Sequence, residues 1–177
     1  IIIEGKEYEF PVVEGSENEK AIDISSLRSK TGYVTLDEGF KNTGSTYSSI
    51  TFLDGEKGIL RYRGYSIEDL ADKAEFLEVA YLLIYGELPT TEEYSKFKYE
   101  VTTRSLVNED MRKIFDGFPV NAHPMGVMSS LVGAMSGFYP DKTKKGAEDL
   151  TEVHIRRLLA KLPTIATWCY KKSQGHP

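Results

Sequence analysis

The stretch Pro124–Phe138 constrains the fold of this chain more than any other part of its sequence. Between His123 and Asp141 there is no charged side chain, so a helix formed here has no strongly polar face to turn toward water. The run is also too short to cross a bilayer, which requires about 20 apolar residues. It therefore predicts a helix that is buried against other protein.

This predicted helix has two faces that need neighbours. Residues at helical spacing form an apolar face on one side: Met128, Leu131, Val132 and Met135. Small residues form a second, small-residue face: Gly126, Ser130, Gly133 and Gly137. Glycine inside a helix costs about 1 kcal/mol relative to alanine, so the three glycines indicate that another backbone comes close. That backbone belongs either to a second subunit, across a dimer interface, or to the core of the same subunit.

The composition argues against several classes of function. The chain has 27 acidic against 22 basic side chains and a formal net charge of -5. Its surface should therefore repel phosphate backbones, and nucleic acid is not an expected partner. The single cysteine, Cys169, cannot form an internal disulfide, and no His or Cys pattern has the spacing of a zinc site. We expect no metal site.

The first residues of the chain do not resemble a signal peptide. The chain begins with Ile1 rather than methionine, so we expect a trimmed or excised sequence. The apolar run Ile1–Ile3 meets Glu4 at once and has no basic flank, whereas a signal peptide needs such a flank and a longer apolar core. We therefore expect a cytoplasmic protein with no membrane partner.

Residues 1–47 are predicted to form a β-rich N-terminal segment. Apolar residues alternate loosely at its start, with a turn predicted at Glu4–Glu7, and polar loops dominate the remainder. A sharper β-hairpin follows, in which Ser49–Asp54 and Gly58–Arg63 flank a short loop with glycine at both ends.

Helical signals dominate residues 48–177 once this hairpin has ended. Ser66 and Thr90 each precede an amphipathic segment and have an acidic residue three positions later, as helix caps do. In the last predicted helix, Pro163 removes a backbone donor and disfavours helical geometry at the residue before it. We therefore predict a break or kink at Leu162, and a mainly α fold class overall.

Four separated motifs resemble the sequences of citrate synthases, in the family's order and spacing. They are Ile50–Leu70, Glu78–Thr90, His123–Met125 and Leu158–Thr164. The likeness covers about residues 20–177, and the β-rich start resembles that of the bacterial, NADH-sensitive enzymes, which form homodimers or hexamers. The resemblance implies that 48–177 are the N-terminal part of the helical large domain, without the small substrate domain. It also implies that the Pro124–Phe138 helix packs against its symmetry mate.

The resemblance further implies an enzyme, an acyltransferase of the tricarboxylic acid cycle. Citrate synthases condense acetyl-CoA with oxaloacetate and water to citrate and CoA, which requires a carboxylate base and donors that stabilise the enolate. In the family an Asp and two His residues take these roles, and arginines bind the oxaloacetate carboxylates. All of them lie beyond the equivalent of Pro177, so we assign no catalytic residue and expect this chain alone to be inactive. Acetyl-CoA is a substrate, so no bound cofactor is implied.

Two other functions remain open from the sequence. 2-Methylcitrate synthase shares the fold and uses propionyl-CoA; the helical motifs do not separate it from citrate synthase, although the β-rich start favours the citrate enzyme. The alternative from another class is a non-catalytic helical module that dimerises or binds a nucleotide. The histidines of the chain, His123, His154 and His176, do not suggest a reactive centre, and His123 is interpreted as a structural entry to the Pro124–Phe138 helix.

An allosteric NADH site is also implied by the resemblance. The positions that match it are Tyr139, Arg157 and Lys161, together with Arg104 and Ser105 in the segment Thr103–Leu106. NADH would be an inhibitor there. The known site carries consecutive Arg and His residues where this chain has Thr103 and Arg104, so one cation is removed or relocated.

A solvated surface is the alternative interpretation of the two cations on the last helix. Arg157 and Lys161 are four residues apart and share one helix face, where they could meet a diphosphate. They could instead face Glu152 or Glu148 as exposed ion pairs, which contribute about 0 to 1 kcal/mol.

Overall fold

The computed structural model describes residues 1–140 and 150–176. The structure divides into two compact units, Ile1–Ser49 and Ile50–Pro177. The first unit contains two small antiparallel hairpins and one short helix. Its elements are β1 (Ile2–Ile3), β2 (Lys6–Glu7), β3 (Val12–Glu14), β4 (Lys20–Ile22) and α1 (Leu27–Thr31).

The first hairpin is tighter than the sequence indicated. Glu4 and Gly5 both have positive φ, of 50° and 79°, which is the geometry of a two-residue turn whose twist matches that of the flanking strands. Lys6 and Glu7, predicted as part of the turn, therefore already pair with β1. The predicted turn has the right position and is two residues too long.

The second unit begins with a three-stranded antiparallel sheet. Its strands are β5 (Thr51–Asp54), β6 (Ile59–Tyr62) and β7 (Tyr65–Ser66), adjacent in that order. The pair β5–β6 is the predicted hairpin and is confirmed. β7 was not predicted, because two residues carry no readable alternation; it forms because Arg63 and Gly64, with φ of 50° and 90°, reverse the chain.

Six helices follow within the described part of this unit. They are α2 (Ile67–Lys73), α3 (Phe76–Tyr85), α4 (Thr91–Thr102), α5 (Met111–Asp116), α6 (Pro124–Phe138) and α7 (Leu150–Ser173). Two predicted start signals are confirmed: the Ser66 hydroxyl accepts a hydrogen bond from the Asp69 amide at 3.1 Å, and Thr90 forms a capping box with Glu93. The mainly α fold class is confirmed. None of the described helices is long and apolar enough to span a membrane.

Helix α7 continues through Pro163, so the predicted break at Leu162 is wrong. Pro163 lies on an exposed side of the helix, whereas Ala160, Lys161 and Ile165 on either side of it are buried. Packing of these neighbours holds both halves in one helix, which compensates for the backbone hydrogen bond that proline cannot make.

Two hydrophobic clusters surround α7. The larger joins it to α5 and α6 and consists of Met111, Phe115, Val127, Leu131, Met135, Ile165 and Cys169. The smaller joins it to α4 and consists of Phe97, Val101 and Ala160. Leu131 and Ile165 are completely buried, and α7 contributes residues to both clusters.

Candidate functional site

Two neighbouring pockets lie beside α7. The first, the cationic pocket, has a volume of about 230 Å³ and is lined by Thr103, Arg104, Leu106, Tyr139, Val153, Arg157 and Lys161. Four of the five residues implied as nucleotide ligands are in this lining: Arg104, Tyr139, Arg157 and Lys161. The fifth, Ser105, is outside it, and its carbonyl accepts a hydrogen bond from the Thr164 hydroxyl at 2.9 Å.

Lys161 is buried, with only 6% of its surface exposed. Its ammonium group donates hydrogen bonds to the carbonyl of Arg104 at 2.9 Å and to the carbonyl of Leu106. The nitrogen also lies 4.6 Å from the centroid of the Tyr139 ring. A buried charge is costly unless such partners compensate for lost water. The solvated-surface interpretation is therefore wrong for Lys161.

Arg157 is partly buried one helical turn before Lys161. Its Nη1 donates a hydrogen bond to the carbonyl of Tyr139 at 2.9 Å, and its guanidinium carbon lies 5.2 Å from the centroid of the Tyr139 ring. The two cations of α7 therefore both contact Tyr139, the residue that follows the last turn of α6.

The carboxylates named in the alternative interpretation do not pair with Arg157 in the described residues. Glu152 forms an ion pair with Arg156 at 2.7 Å and accepts a hydrogen bond from the Tyr85 hydroxyl at 2.6 Å. Glu148 lies outside the described residues. Arg156 also pairs with Glu100 at 2.9 Å, so this ionic cluster joins α7 to α3 and α4.

Sequence reasoning missed two residues that hold the cationic pocket together. The Asn108 amide donates a hydrogen bond to the Tyr139 hydroxyl at 2.7 Å, and Thr164 binds the carbonyl of Ser105. Neither Asn108 nor Thr164 is among the residues implied as ligands, although Thr164 ends a family motif. Their partners are 31 and 59 residues away in the chain, a distance at which sequence spacing carries no signal.

The cationic pocket is suited to an anion. The lining residues include three cationic side chains and no carboxylate. An ammonium group has three N–H donors and a guanidinium has five; within the described residues, Lys161 uses two of its donors on carbonyls and Arg157 uses one. Donors therefore remain for phosphate oxygens, which such groups bind by charge-assisted hydrogen bonds.

The second pocket, the apolar pocket, has a volume of about 190 Å³. It is lined by Val132, Met135, Ser136, Tyr139, Pro140, His154, Arg157 and Leu158. Tyr139 and Arg157 belong to both linings, so the two pockets are adjacent and share one wall.

The small-residue face of α6 is exposed in this chain. Outside the backbone of α6 and the adjoining residues, a Cβ atom built on Gly126, Gly133 or Gly137 meets no atom of the described residues within 4 Å. The Ser130 hydroxyl donates to the carbonyl of Gly126 at 2.9 Å, so its polar group is satisfied on the helix itself. Within the described chain the face is therefore uncovered, and core packing by those residues does not explain its glycines.

The histidines have separate positions in the fold. The Nδ1 atom of His123 accepts a hydrogen bond from the Met125 amide at 3.3 Å and caps α6, which is a structural role. His154 lines the apolar pocket, and His176 follows α7, where its amide bonds the carbonyl of Lys171 at 3.0 Å.

Comparison with known proteins relates the chain to one family. The family model for the citrate synthase C-terminal domain matches residues 39–177. The curated protein citrate synthase 1 of Mycobacterium tuberculosis is 49% identical over 173 residues, which are 98% of this chain and 40% of the relative. The chain therefore spans about 40% of the length of the curated relatives it matches.

Solved structures show the same likeness. The citrate synthase of Thermoplasma acidophilum, in a ternary complex with carboxymethyl coenzyme A and oxaloacetate, matches with a TM-score of 0.71 and 27% identity over 81% of this chain and 37% of its own. The enzyme of Thermotoga maritima matches with a TM-score of 0.66 and 32% identity over 81% of this chain and 36% of its own. The enzyme of Pyrobaculum aerophilum matches with a TM-score of 0.66 and 27% identity over 97% of this chain and 40% of its own.

Proposed function

Because this chain belongs to the citrate synthase family, we propose that it is the N-terminal part of a bacterial citrate synthase. The whole enzyme condenses acetyl-CoA with oxaloacetate and water to citrate and CoA. The observation that carries this proposal is the 49% identity to a citrate synthase across 98% of the chain. The ligands of the Thermoplasma acidophilum relative, a coenzyme A derivative and oxaloacetate, support the same pair of substrates.

The part of the enzyme formed by this chain is a scaffold. We place residues 48–177 in the large helical domain of a cytoplasmic homodimer or hexamer, with the small-residue face of α6 against its symmetry mate. His123 is engaged as a helix cap, and the base and ketone-polarising groups come from the remainder of the enzyme. We therefore expect no turnover by residues 1–177 alone, because abstraction of a methyl proton needs a positioned base and an enolate donor together.

Thiol release from acyl-CoA tests this assignment. With oxaloacetate present, the full-length protein should release CoA from acetyl-CoA several-fold faster than from propionyl-CoA, and residues 1–177 alone should not exceed a blank without protein. Equal concentrations of the two acyl-CoAs in competition provide the matched comparison. Preference for propionyl-CoA would instead assign a 2-methylcitrate synthase, and absence of release from either would support the non-catalytic module.

NADH inhibition is the second part of the proposal. The cationic pocket brings Arg104, Arg157 and Lys161 around Tyr139, and a diphosphate is a ligand of matching charge. Ser105 lies outside the lining, and its carbonyl accepts a hydrogen bond from Thr164, which fixes the segment beside the pocket. The NADH site is thus proposed at the end of α6 and the middle of α7, and NADH acts there as a regulator rather than as a cofactor.

Replacing Arg157 by alanine should raise the NADH concentration for half-inhibition of the full-length enzyme by about 10- to 100-fold. Hydrogen bonds to charged groups contribute about 1.5–3 kcal/mol, and each 1.4 kcal/mol is tenfold in affinity. Arg112→Ala on α5 removes the same charge from an exposed side chain outside the pocket linings and should leave inhibition unchanged. Equal inhibition of wild type and Arg157→Ala would exclude Arg157 from the site, and a wild type insensitive to NADH would exclude the regulation.

A further inference from the structure

Four side chains connect α3, α4 and α7 in one continuous chain of polar contacts: Tyr85, Glu152, Arg156 and Glu100. We infer that α3 and α4 form a lid on the first half of α7, and that these four side chains, the ionic latch, hold the lid closed. When the ionic latch is broken, the lid opens while α5 and α6 stay packed on α7. The ionic latch is therefore a conformational device, because breaking it changes which part of α7 meets water.

The lid is held together by contacts that do not involve α7. The rings of Tyr81 and Tyr85 on α3 meet the ring of Phe97 on α4 at centroid distances of 5.5 and 6.2 Å. Both pairs are nearly perpendicular, which is a favoured aromatic geometry. Lys98 on α4 also pairs at 3.0 Å with Glu75, the N-cap of α3. These contacts remain when the lid leaves α7, so α3 and α4 move as one body.

The apolar contact between the lid and α7 is small. The cluster that joins them has three buried residues, Phe97, Val101 and Ala160, whereas the cluster that joins α5 and α6 to α7 has seven. Ala160 is the contribution of α7 to the smaller cluster, and its side chain is a single methyl group. Hydrophobic stabilisation is roughly proportional to the apolar area buried. The lid is therefore the part of this helical layer that opens most easily, since regions with few buried contacts open separately from the core.

The ionic latch contains one cation and two carboxylates. The guanidinium of Arg156 lies 2.9 Å from the Glu100 carboxylate through Nε and 2.7 Å from the Glu152 carboxylate through Nη2. Glu152 also accepts a hydrogen bond from the Tyr85 hydroxyl at 2.6 Å. The three charged side chains are only 14%, 19% and 27% exposed. Without Arg156, two poorly hydrated negative charges would face each other between α4 and α7, and opening of the lid would hydrate them.

The segment 104–106 after α4 is the hinge of the lid. The Lys161 ammonium group donates hydrogen bonds to the carbonyls of Arg104 and Leu106. The Thr164 hydroxyl donates to the carbonyl between them, that of Ser105, at 2.9 Å. These bonds fix the segment on α7 without any residue of the ionic latch. The lid therefore stays attached at 104–106 when the latch opens.

Amide hydrogen exchange of the full-length protein, measured by mass spectrometry, tests the lid. Arg156→Met removes the charge and keeps an unbranched side chain. It should accelerate exchange in α3 and α4 by about tenfold or more, and exchange in α5 and α6 by less than about twofold. Arg112→Met is the matched control, because it breaks the exposed pair of Arg112 with Asp116, which are 3.8 Å apart. It should change none of these rates by more than about twofold.

A triple variant separates the effect of charge from the effect of lost packing. It combines Arg156→Met with Glu100→Leu and Glu152→Gln, so that no charge remains in the latch and an acceptor remains for the Tyr85 hydroxyl. Because a buried ionic group can be replaced by apolar side chains without loss of stability, exchange in α3 and α4 should return to within about threefold of the wild type.

Three outcomes would overturn the inference. Unchanged exchange in Arg156→Met would show that the ionic latch does not hold the lid. Equal acceleration in all helices from α3 to α6 would show that the lid does not open separately. A triple variant that exchanges as fast as Arg156→Met would show that uncompensated charge is not what opens it.

Discussion

Replacing Gly133 by leucine should convert the full-length protein from dimers or larger assemblies to monomers while its subunits stay folded. Outside the backbone of α6 and the adjoining residues, a Cβ at Gly133 meets no described atom of its own chain within 4 Å, so leucine is accommodated within the subunit. Across a close interface between two helices, the same side chain forces the backbones apart. Loss of close packing should weaken association by a factor of 1,000 or more, equivalent to about 4 kcal/mol. Light scattering measures the mass.

Two further variants separate the interface effect from a general effect of bulk. Gly133→Ala should retain the assembly better than leucine and favour the helix by about 1 kcal/mol, and circular dichroism should show helicity at least equal to that of the wild type. Ser95→Leu adds bulk at an exposed position of α4 and should leave the mass unchanged. A Gly133→Leu protein of wild-type mass would place the dimer interface elsewhere.

Replacing Lys161 by methionine should lower the free energy of unfolding by about 2–4 kcal/mol. Methionine fills a similar buried volume but leaves the carbonyls of Arg104 and Leu106 without the ammonium group that they share. Hydrogen bonds to a charged group contribute about 1.5–3 kcal/mol each. The expected observations are a lower melting temperature and faster amide hydrogen exchange in the segment after α4.

Lys171→Met is the control, because Lys171 is an exposed lysine on the last turns of the same helix. Surface substitutions of this kind usually change stability by less than about 0.5 kcal/mol. If both variants had the same melting temperature, Lys161 would not hold the segment. NADH inhibition should also weaken in Lys161→Met, but the exchange measurement does not depend on any ligand.

The elements that could be predicted from sequence are those specified by neighbouring residues. His123 and Pro124 mark the start of α6, and the absence of charge extends to its end at Phe138. Thr90 and Glu93 mark the start of α4 in the same way. In these places the cap, the apolar pattern and the length of the element all favour the same structure.

The features that could not be predicted depend on distant residues. Pro163 favours a break on local grounds, and only the buried residues around it explain why α7 continues. Spacing alone places Lys161 and Arg157 on one helix face, but it does not show whether that face is exposed to solvent. The burial of Lys161 follows from carbonyls 57 and 55 residues earlier in the chain.

Side chains of α7 donate hydrogen bonds to backbone carbonyls of residues that are synthesised much earlier. Lys161 binds the carbonyl of Leu106, Thr164 that of Ser105, and Lys172 that of Phe115, over separations of 55 to 59 residues. During translation, these carbonyls remain hydrated until the 55 to 59 residues that separate them from their donors have been added. Such long-range closure slows folding, so translation that stalls before α7 emerges should leave the preceding helices unanchored and exposed to proteases.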